Sequence, residues 1–374
     1  MVEWKKLGEL CIIRTGKLNA NAQVENGIYP FFTCDAHPFR IDEYAFDTEA
    51  ILISGNGSQV GHLNYYKGKF NAYQRTYVLD DFKKVDIFYV LHYLKGTIRS
   101  YVMGKSKKGS VPYITLPMLL DLLIPIPSLS EQQRIVSILD TFTSSISNLK
   151  QQIEERRKQY EYERDLLLDL EGKEGVEMKK LGEVGEFIRG NGIQKNDFVE
   201  EGYGCIHYGQ IHARYGFSAK ETISKIEESL YKKCKKAKTG DVILATTSED
   251  AEGVAKPFVW LGEYDVAVSG DAFIYHHNQI GKFMGYQFLT RKFMQFKVKY
   301  ATGAKVVRLS GDNMAKFEIP LPPLSEQQRI VSILDTFEQS ISNLEEQLAM
   351  REKQYEYYRN QLLTFEGEEE RGKT

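Results

Sequence analysis

At 374 residues the chain is long enough for two or three domains with cores of their own, and 42% hydrophobic with 27% charged residues reads as a globular rather than a disordered protein. No run of 18 or more apolar residues and no apolar segment behind Met1 is present, which argues against secretion or a membrane anchor and for the cytoplasm. Cys11, Cys34, Cys205 and Cys234 have no CxxC spacing, which fits reduced thiols, and the net charge of -2 argues mildly against nucleic acid unless charge is unevenly distributed.

In chain order, Lys5-Lys6-Leu7-Gly8-Glu9 comes first and recurs as Lys179-Lys180-Leu181-Gly182-Glu183. Glu49 to Ser54 reads as a strand, Gly55 to Gln59 as a glycine-rich turn, and Val60 to Tyr66 as a second strand. Asp86 to Val102 reads as a helix followed by a basic loop, Gly104 to Gly109. Pro125 and Pro127 then stiffen the approach to a long helix. The second insert follows the same order. A strand from Gly240 to Ala245 precedes the polar run Thr246 to Asp250 and an apolar stretch from Gly253 to Trp260. A helix over 281–299 and a loop containing Gly303 and Lys305 come next, and Pro320, Pro322 and Pro323 lead into a second long helix.

The two long helices open on one sequence: LSEQQRIVSILDTF spans Leu129 to Phe142 and again Leu324 to Phe337. Ser130 with Gln133, and Ser325 with Gln328, have capping-box spacing. Apolar positions then step by four and three through Ile135, Leu139, Phe142, Ile146, Leu149, Ile153, Arg156 and Tyr160, and in the second copy through Ile330, Leu334, Phe337, Ile341, Leu344, Leu348, Arg351 and Tyr355. This heptad seam predicts an antiparallel pair within the chain. Charge divides along the same lines. Residues 1–127 carry +3 and 179–323 carry +4, while 128–178 carry -4 and 324–374 carry -5, so two basic inserts alternate with two acidic repeats.

Motifs for chemistry are weak. Gly55-x-Gly57-x-x-x-Gly61 has one residue too many for a dinucleotide fingerprint, and Gly104-Lys105-Ser106 lacks the first glycine of a P-loop. His207, His212, His276 and His277 lack a ligand spacing, so no metal and no cofactor is expected. No catalytic set is recognisable. Phosphate contacts are assigned to Lys105, Lys107, Lys108 and Lys305, with the run Lys232 to Lys238 a weaker candidate. Base-edge contacts are assigned to Asn56, Ser58, Gln59, Gln74 and Arg75 in one insert and to His207, Tyr208, Gln210, Thr247, Ser248, Glu249 and Asp250 in the other. Off the seam the repeats are also identical, which packing alone does not demand. Glu131, Gln132, Arg134 and Glu326, Gln327, Arg329 are therefore candidates to bind two copies of one partner, with recombination between gene repeats as a rival explanation.

The order of basic insert, Ile124-Pro125-Ile126-Pro127-Ser128-Leu129-Ser130-Glu131-Gln132-Gln133, second insert, and Ile319-Pro320-Leu321-Pro322-Pro323-Leu324-Ser325-Glu326-Gln327-Gln328 resembles the specificity subunit of type I restriction-modification enzymes. The Ile51-Leu52-Ile53-Ser54-Gly55-Asn56-Gly57 turn and the stretch from Ala301 to Ser310 resemble that family's target-recognition domains. The resemblance implies an α+β architecture: two mixed α/β target-recognition domains, 1–127 and 179–323, joined by two long helices, 128–178 and 324–374, as an antiparallel intramolecular coiled coil with a pseudo-two-fold. It implies a sequence-specific, non-catalytic DNA-binding subunit. Each domain would read half of a bipartite double-stranded site, the helices would set the gap, and two modification subunits would dock, with restriction subunits as further partners. The alternative is a nuclease or methyltransferase with an unrecognised active site.

Overall fold

The computed structural model describes residues 2–105, 112–303 and 306–365. It begins with β1 (Glu3–Lys6), α1 (Leu7–Leu10), β2 (Ile12–Thr15), β3 (Tyr29–Phe32), β4 (Phe39–Ile41), β5 (Phe46–Ser54), β6 (Leu63–Ala72) and β7 (Thr76–Asp80). Then come α2 (Ile87–Lys105), α3 (Leu116–Leu120), β8 (Leu123–Ile126) and the long α4 (Leu129–Leu168). The second insert starts with β9 (Glu177–Lys180), α5 (Leu181–Val184), β10 (Gly185–Arg189), β11 (Phe198–Val199), β12 (Tyr203–Ile206), α6 (Tyr208–Ala213), β13 (Ser218–Ala219), β14 (Ser224–Ile226) and α7 (Glu228–Tyr231). It continues with β15 (Lys236–Ala237), β16 (Val242–Ala245), β17 (Thr247–Ser248), β18 (Lys256–Trp260), β19 (Val266–Val268) and β20 (Ala272–His277). Last are α8 (Gly281–Gln287), α9 (Arg291–Tyr300), β21 (Val307–Arg308), α10 (Gly311–Met314), β22 (Glu318–Leu321) and the second long helix, α11 (Leu324–Leu363).

The chain divides into two compact units, one of Met1–Gln151 with Glu345–Thr374 and one of Gln152–Leu344. Each unit therefore takes part of both long helices. In the first, Ile135 and Leu139 of α4 and Leu363 of α11 join Leu7, Ile51, Leu79, Tyr89 and Leu94 in one core. In the second, Ile330 and Leu334 of α11 and Leu168 of α4 join Leu181, Leu244, Val259, Tyr275 and Phe283. The first seam positions of each helix thus pack on the helix's own insert. Each such buried Leu or Ile contributes about 1.5–3 kcal/mol relative to exposure.

Further along, the helices pair with each other, antiparallel within each unit. Phe142 stacks on Tyr358 and lies under Arg351, while Lys150 pairs with Glu352 at 2.9 Å. In the second unit Tyr160 packs on Phe337, Arg156 lies over the same ring, and the Tyr160 hydroxyl donates to Glu338. The seam arginines are accommodated as cation–π partners of the facing phenylalanines.

The capping prediction needs correction. Helix α4 starts at Leu129, and its cap is Ser128, two residues before the expected Ser130; the Ser128 Oγ accepts from the Glu131 amide. Pro323 holds the equivalent place before α11 and offers only its carbonyl, to Glu326 and Gln327. The single helix expected over 281–299 is also two helices. The first ends at Gln287, with Phe288 as its C-cap, and Thr290 caps the second by accepting from the Phe293 amide.

Within each insert the strands follow one plan. In the first, β2-β7-β5-β6-β3-β4 form one sheet, with β2, β7, β5 and β6 antiparallel and β3 parallel to the end of β6. In the second, β10-β20-β16-β18 repeat that antiparallel order. There β12 runs parallel to β19 as β3 does to β6, so β18 and β19 together correspond to the long β6. The register equates Ser54↔Thr76 with Ala245↔Ala272. Backbone approach makes glycine necessary at matching places: a Cβ on Gly16 would lie 1.7 Å from the Ala72 oxygen, and one on Gly190 2.2 Å from that of Ser269. Strands β1 with β8, and β9 with β22, form equivalent two-stranded ribbons beside the long helices.

Candidate nucleic-acid interface

In the first unit the candidate residues converge where β5 ends and β7 begins. Gly57 and Gly61 adopt positive φ of 83° and 81°, which lets the chain turn tightly after β5. The Gly55 amide then donates to the Arg75 carbonyl at 2.8 Å and ties this turn to the one before β7. Asn56, Ser58, Gln59, Gln74 and Arg75 are thereby gathered at one end of the sheet. All are exposed except the half-buried Asn56. Gln74 donates to Asn19 Oδ1, whereas Arg75 has no ion pair among the described residues. Beside them Ser58, Gln59, Lys95 and Arg99 line a cleft of about 300 Å³. Lys105 belongs to the last turn of α2, with its ammonium over the Tyr101 ring, and not to a loop as expected. Lys107, Lys108 and Lys305 lie outside the described residues.

The matching end of the second sheet gathers the residues after β16, before β20 and at the end of β10. Thr246 donates to the Asp271 carbonyl at 3.1 Å, the counterpart of the Gly55 to Arg75 bond. Thr247 and Ser248 pair with Arg308 and Val307 in a short ribbon. The Thr247 carbonyl meets His212 Nε2, and its hydroxyl is buried without a partner among the described residues. A cleft of about 200 Å³ opens between this ribbon and Arg189, Asp271, Tyr300 and Asn313. Arg189 Nε donates to the Gly270 carbonyl at 2.8 Å, which sets its guanidinium 3.9 Å from the Asp271 carboxylate.

Two of the expected contacts in this unit are corrected. Gln210 is buried, accepts from the His207 amide and donates to Ser224, so its amide holds the N-terminus of α6. His207 is also buried; its Nδ1 accepts from the Gly209 amide, and burial pushes its pKa down, which keeps the ring neutral. Tyr208 stays half exposed between His207 and His212. Glu249 and Asp250 are exposed, with Asp250 accepting from the Gly253 amide. In the lysine run, Lys232 pairs with Glu228, and Lys236 covers Tyr231.

On the long helices Glu131 with Arg134, and Glu326 with Arg329, form matching two-pronged ion pairs at the surface. The glutamines between them do not belong to that surface. Gln132 is 1% exposed and Gln327 0%, which corrects their assignment to partner binding. Gln132 donates to the Pro127 carbonyl and accepts from the Asp86 amide. Gln327 repeats this with Pro322 and Ile280. Asp140 likewise meets His92, and Asp335 meets Lys282 and Tyr286. Much of the off-seam identity therefore serves the attachment of each helix to its own insert.

Among the described residues no group of three or more His, Cys, Asp and Glu is placed to hold a metal, and no helix is long and apolar enough to cross a membrane. Sequence reading missed Arg189, Asp271 and Arg308, which lie far from the polar run in the chain and reach it only through strand register.

The profile of the type I restriction modification DNA specificity domain matches residues 1–156 and 173–350. The chain is 41% identical over 157 residues to the EcoDI type I restriction enzyme specificity subunit of Escherichia coli, covering 41% of this chain and 34% of that protein. It is 29% identical over 314 residues to the EcoR124I/EcoR124II specificity subunit of the same species, 80% of this chain and 76% of the other. Its fold matches the type I restriction-modification S subunit from M. genitalium with a TM-score of 0.60, at 15% identity over 97% of each chain. The two domain matches fall on the two inserts that share a strand plan, and the chain belongs to the type I restriction-modification DNA specificity family.

Proposed function

We propose that this chain is the DNA-reading, non-catalytic component of a type I restriction-modification complex acting in the cytoplasm. Target-recognition domains 1–127 and 179–323 each read one half of a bipartite, asymmetric site. The observation that carries this reading is one strand plan used twice, with different polar residues at its matching end: Asn56, Gln74 and Arg75 in one, Thr247, Asp271 and Arg308 in the other. A fixed frame with exchanged contact residues is what two different DNA words require. Two modification subunits, which methylate adenine, dock on the repeated surfaces holding Glu131 and Arg134, and Glu326 and Arg329. Restriction subunits join the same assembly.

Mapping methylated adenines in cells with and without the gene tests this. A bipartite motif that disappears with the gene is expected. A unipartite motif, or DNA turnover by the isolated chain, would sink the proposal. Binding of DNA by the purified assembly should weaken steeply as salt rises.

The helices, about 60 Å long at 1.5 Å per residue, act as the ruler between the two words. Adding one heptad to each, after Gln151 and after Leu344, lengthens the pair by about 10 Å, or about 3 base pairs. The expected outcome in methylation maps is a wider gap between unchanged half-sites. An altered half-site at an unchanged gap would rule the ruler out.

A further inference from the structure

Arg75 and Asp271 occupy the same topological position. Each immediately precedes the second strand of its sheet order, β7 between β2 and β5 or β20 between β10 and β16. Each offers its backbone carbonyl to the residue after β5 or β16, through the Gly55 and Thr246 amides. In both places the next backbone amide is fixed by the turn itself, Thr76 donating to Tyr73 and Ala272 to Ser269. The backbone under both side chains is therefore held by equivalent hydrogen bonds, while the side chains have opposite charge. One is a fork of donors and the other a pair of acceptors.

Nothing in the fold demands either residue. The Arg75 side chain is exposed and has no ion pair among the described residues. The Asp271 carboxylate stands 3.9 Å from Arg189, too far for a hydrogen bond, so both groups keep free hydrogen-bonding capacity. The cleft beside Asp271 is also lined by Thr247, whose hydroxyl is buried and has no partner among the described residues. A polar group left in this state points to a ligand that completes it.

Resting on the DNA-reading function above, we propose that Arg75 and Asp271 are matched specificity-determining residues: Arg75 donates to the O6 and N7 of a guanine, and Asp271 accepts from the N4 amino group of a cytosine. Arginine fits guanine in the major groove because its fork meets two acceptors, and a carboxylate fits cytosine because only a donor is presented there. Arg189, anchored by Gly270, stands where it can donate to the guanine paired with that cytosine. The two words then differ at this position because a donor in one frame is replaced by an acceptor in the other.

The test uses the full chain assembled with its modification subunits, as wild type, Arg75→Gln and Asp271→Asn. Methylated adenines are mapped in cells, and the purified assemblies are titrated with duplexes carrying every single-base change in each word. For Arg75→Gln the expected result is a loss of guanine preference at one position of the first word, roughly 10- to 100-fold, with a shift toward adenine. For Asp271→Asn the same loss of cytosine preference is expected at one position of the second word. In each variant the other word stays intact and serves as the internal control for folding. Unchanged words would overturn the assignment. So would weakening that is uniform across sequences with a shallower salt dependence, which marks a phosphate contact. A variant that methylates nothing also overturns it, because the residue then supports the fold. If the wild type itself yields no bipartite motif, it is the DNA-reading function that fails.

Discussion

Replacing Gln327 by alanine is expected to destabilise the unit that contains it by about 2–4 kcal/mol, and Gln132→Ala to do the same in the other unit. Each glutamine joins three parts of its unit. Gln327 Nε2 donates to the Pro322 carbonyl and to Gln279 Oε1, both at 2.9 Å, and its Oε1 accepts from the Ile280 amide just before α8. Gln132 joins Pro127 to the Asp86 amide ahead of α2 in the same way. Truncation leaves a buried carbonyl and an inward-facing amide without partners, in a site too enclosed for water to replace the lost carboxamide freely. Urea unfolding and hydrogen exchange at the amides of α2 or α8 measure the loss. The neighbouring Gln133 and Gln328 are exposed, and alanine there should change stability by less than about 0.5 kcal/mol. If Gln132→Ala and Gln327→Ala left stability intact and weakened only partner binding, the docking role first read from the repeat would be restored.

That reversal shows where sequence reading succeeds and where it stops. Ile135, Leu139, Ile330 and Leu334 were legible because buried apolar residues must recur with the helical period. The strand and turn at Glu49 to Gly61 were legible because an apolar run met glycines that adopt positive φ. Gln132 was not, since a buried glutamine and an exposed one look alike in a repeated string, and only the position of Asp86 in space separates them. The break at Thr290 was hidden for a similar reason: apolar residues continue through Phe288 and Leu289, and the cap is a single hydroxyl. The shared strand plan left almost no trace either. Sheets are held by backbone hydrogen bonds that place few demands on side chains, so Gly16 and Gly190 are among the few residues the common geometry requires. Asp271 escaped notice because nothing near it in sequence marks it, whereas its register against Ala245 and Thr246 does.

Acid should weaken the second unit before it affects most carboxylates, through His277. Burial first, and then the neighbouring His276, push the His277 pKa down from 6.5 to about 4. The geometry favours the neutral ring: Nδ1 accepts from the Gln279 amide, so the single proton sits on Nε2, which is buried without a partner among the described residues, and a second proton on Nδ1 would break the Gln279 bond. The unfolded chain takes up a proton near pH 6.5 while the folded chain does not, so stability rises with pH across this window. The contribution is complete above about pH 6.5, falls by about 2 kcal/mol at pH 5, and levels off near about 3 kcal/mol below pH 4. Asp241, just ahead of the adjacent strand β16 and bonded to His276, has its pKa raised by burial and works in the opposite direction. The comparison must therefore be with His277→Asn, whose side-chain oxygen keeps the acceptor for Gln279 but cannot be protonated. Urea midpoints followed by Trp260 fluorescence in a Trp4→Phe background should separate the two proteins progressively between pH 6.5 and pH 4. Parallel pH dependences in that range would show that His277 is protonated as readily in the folded unit as in the unfolded chain, and that its burial is relieved by water.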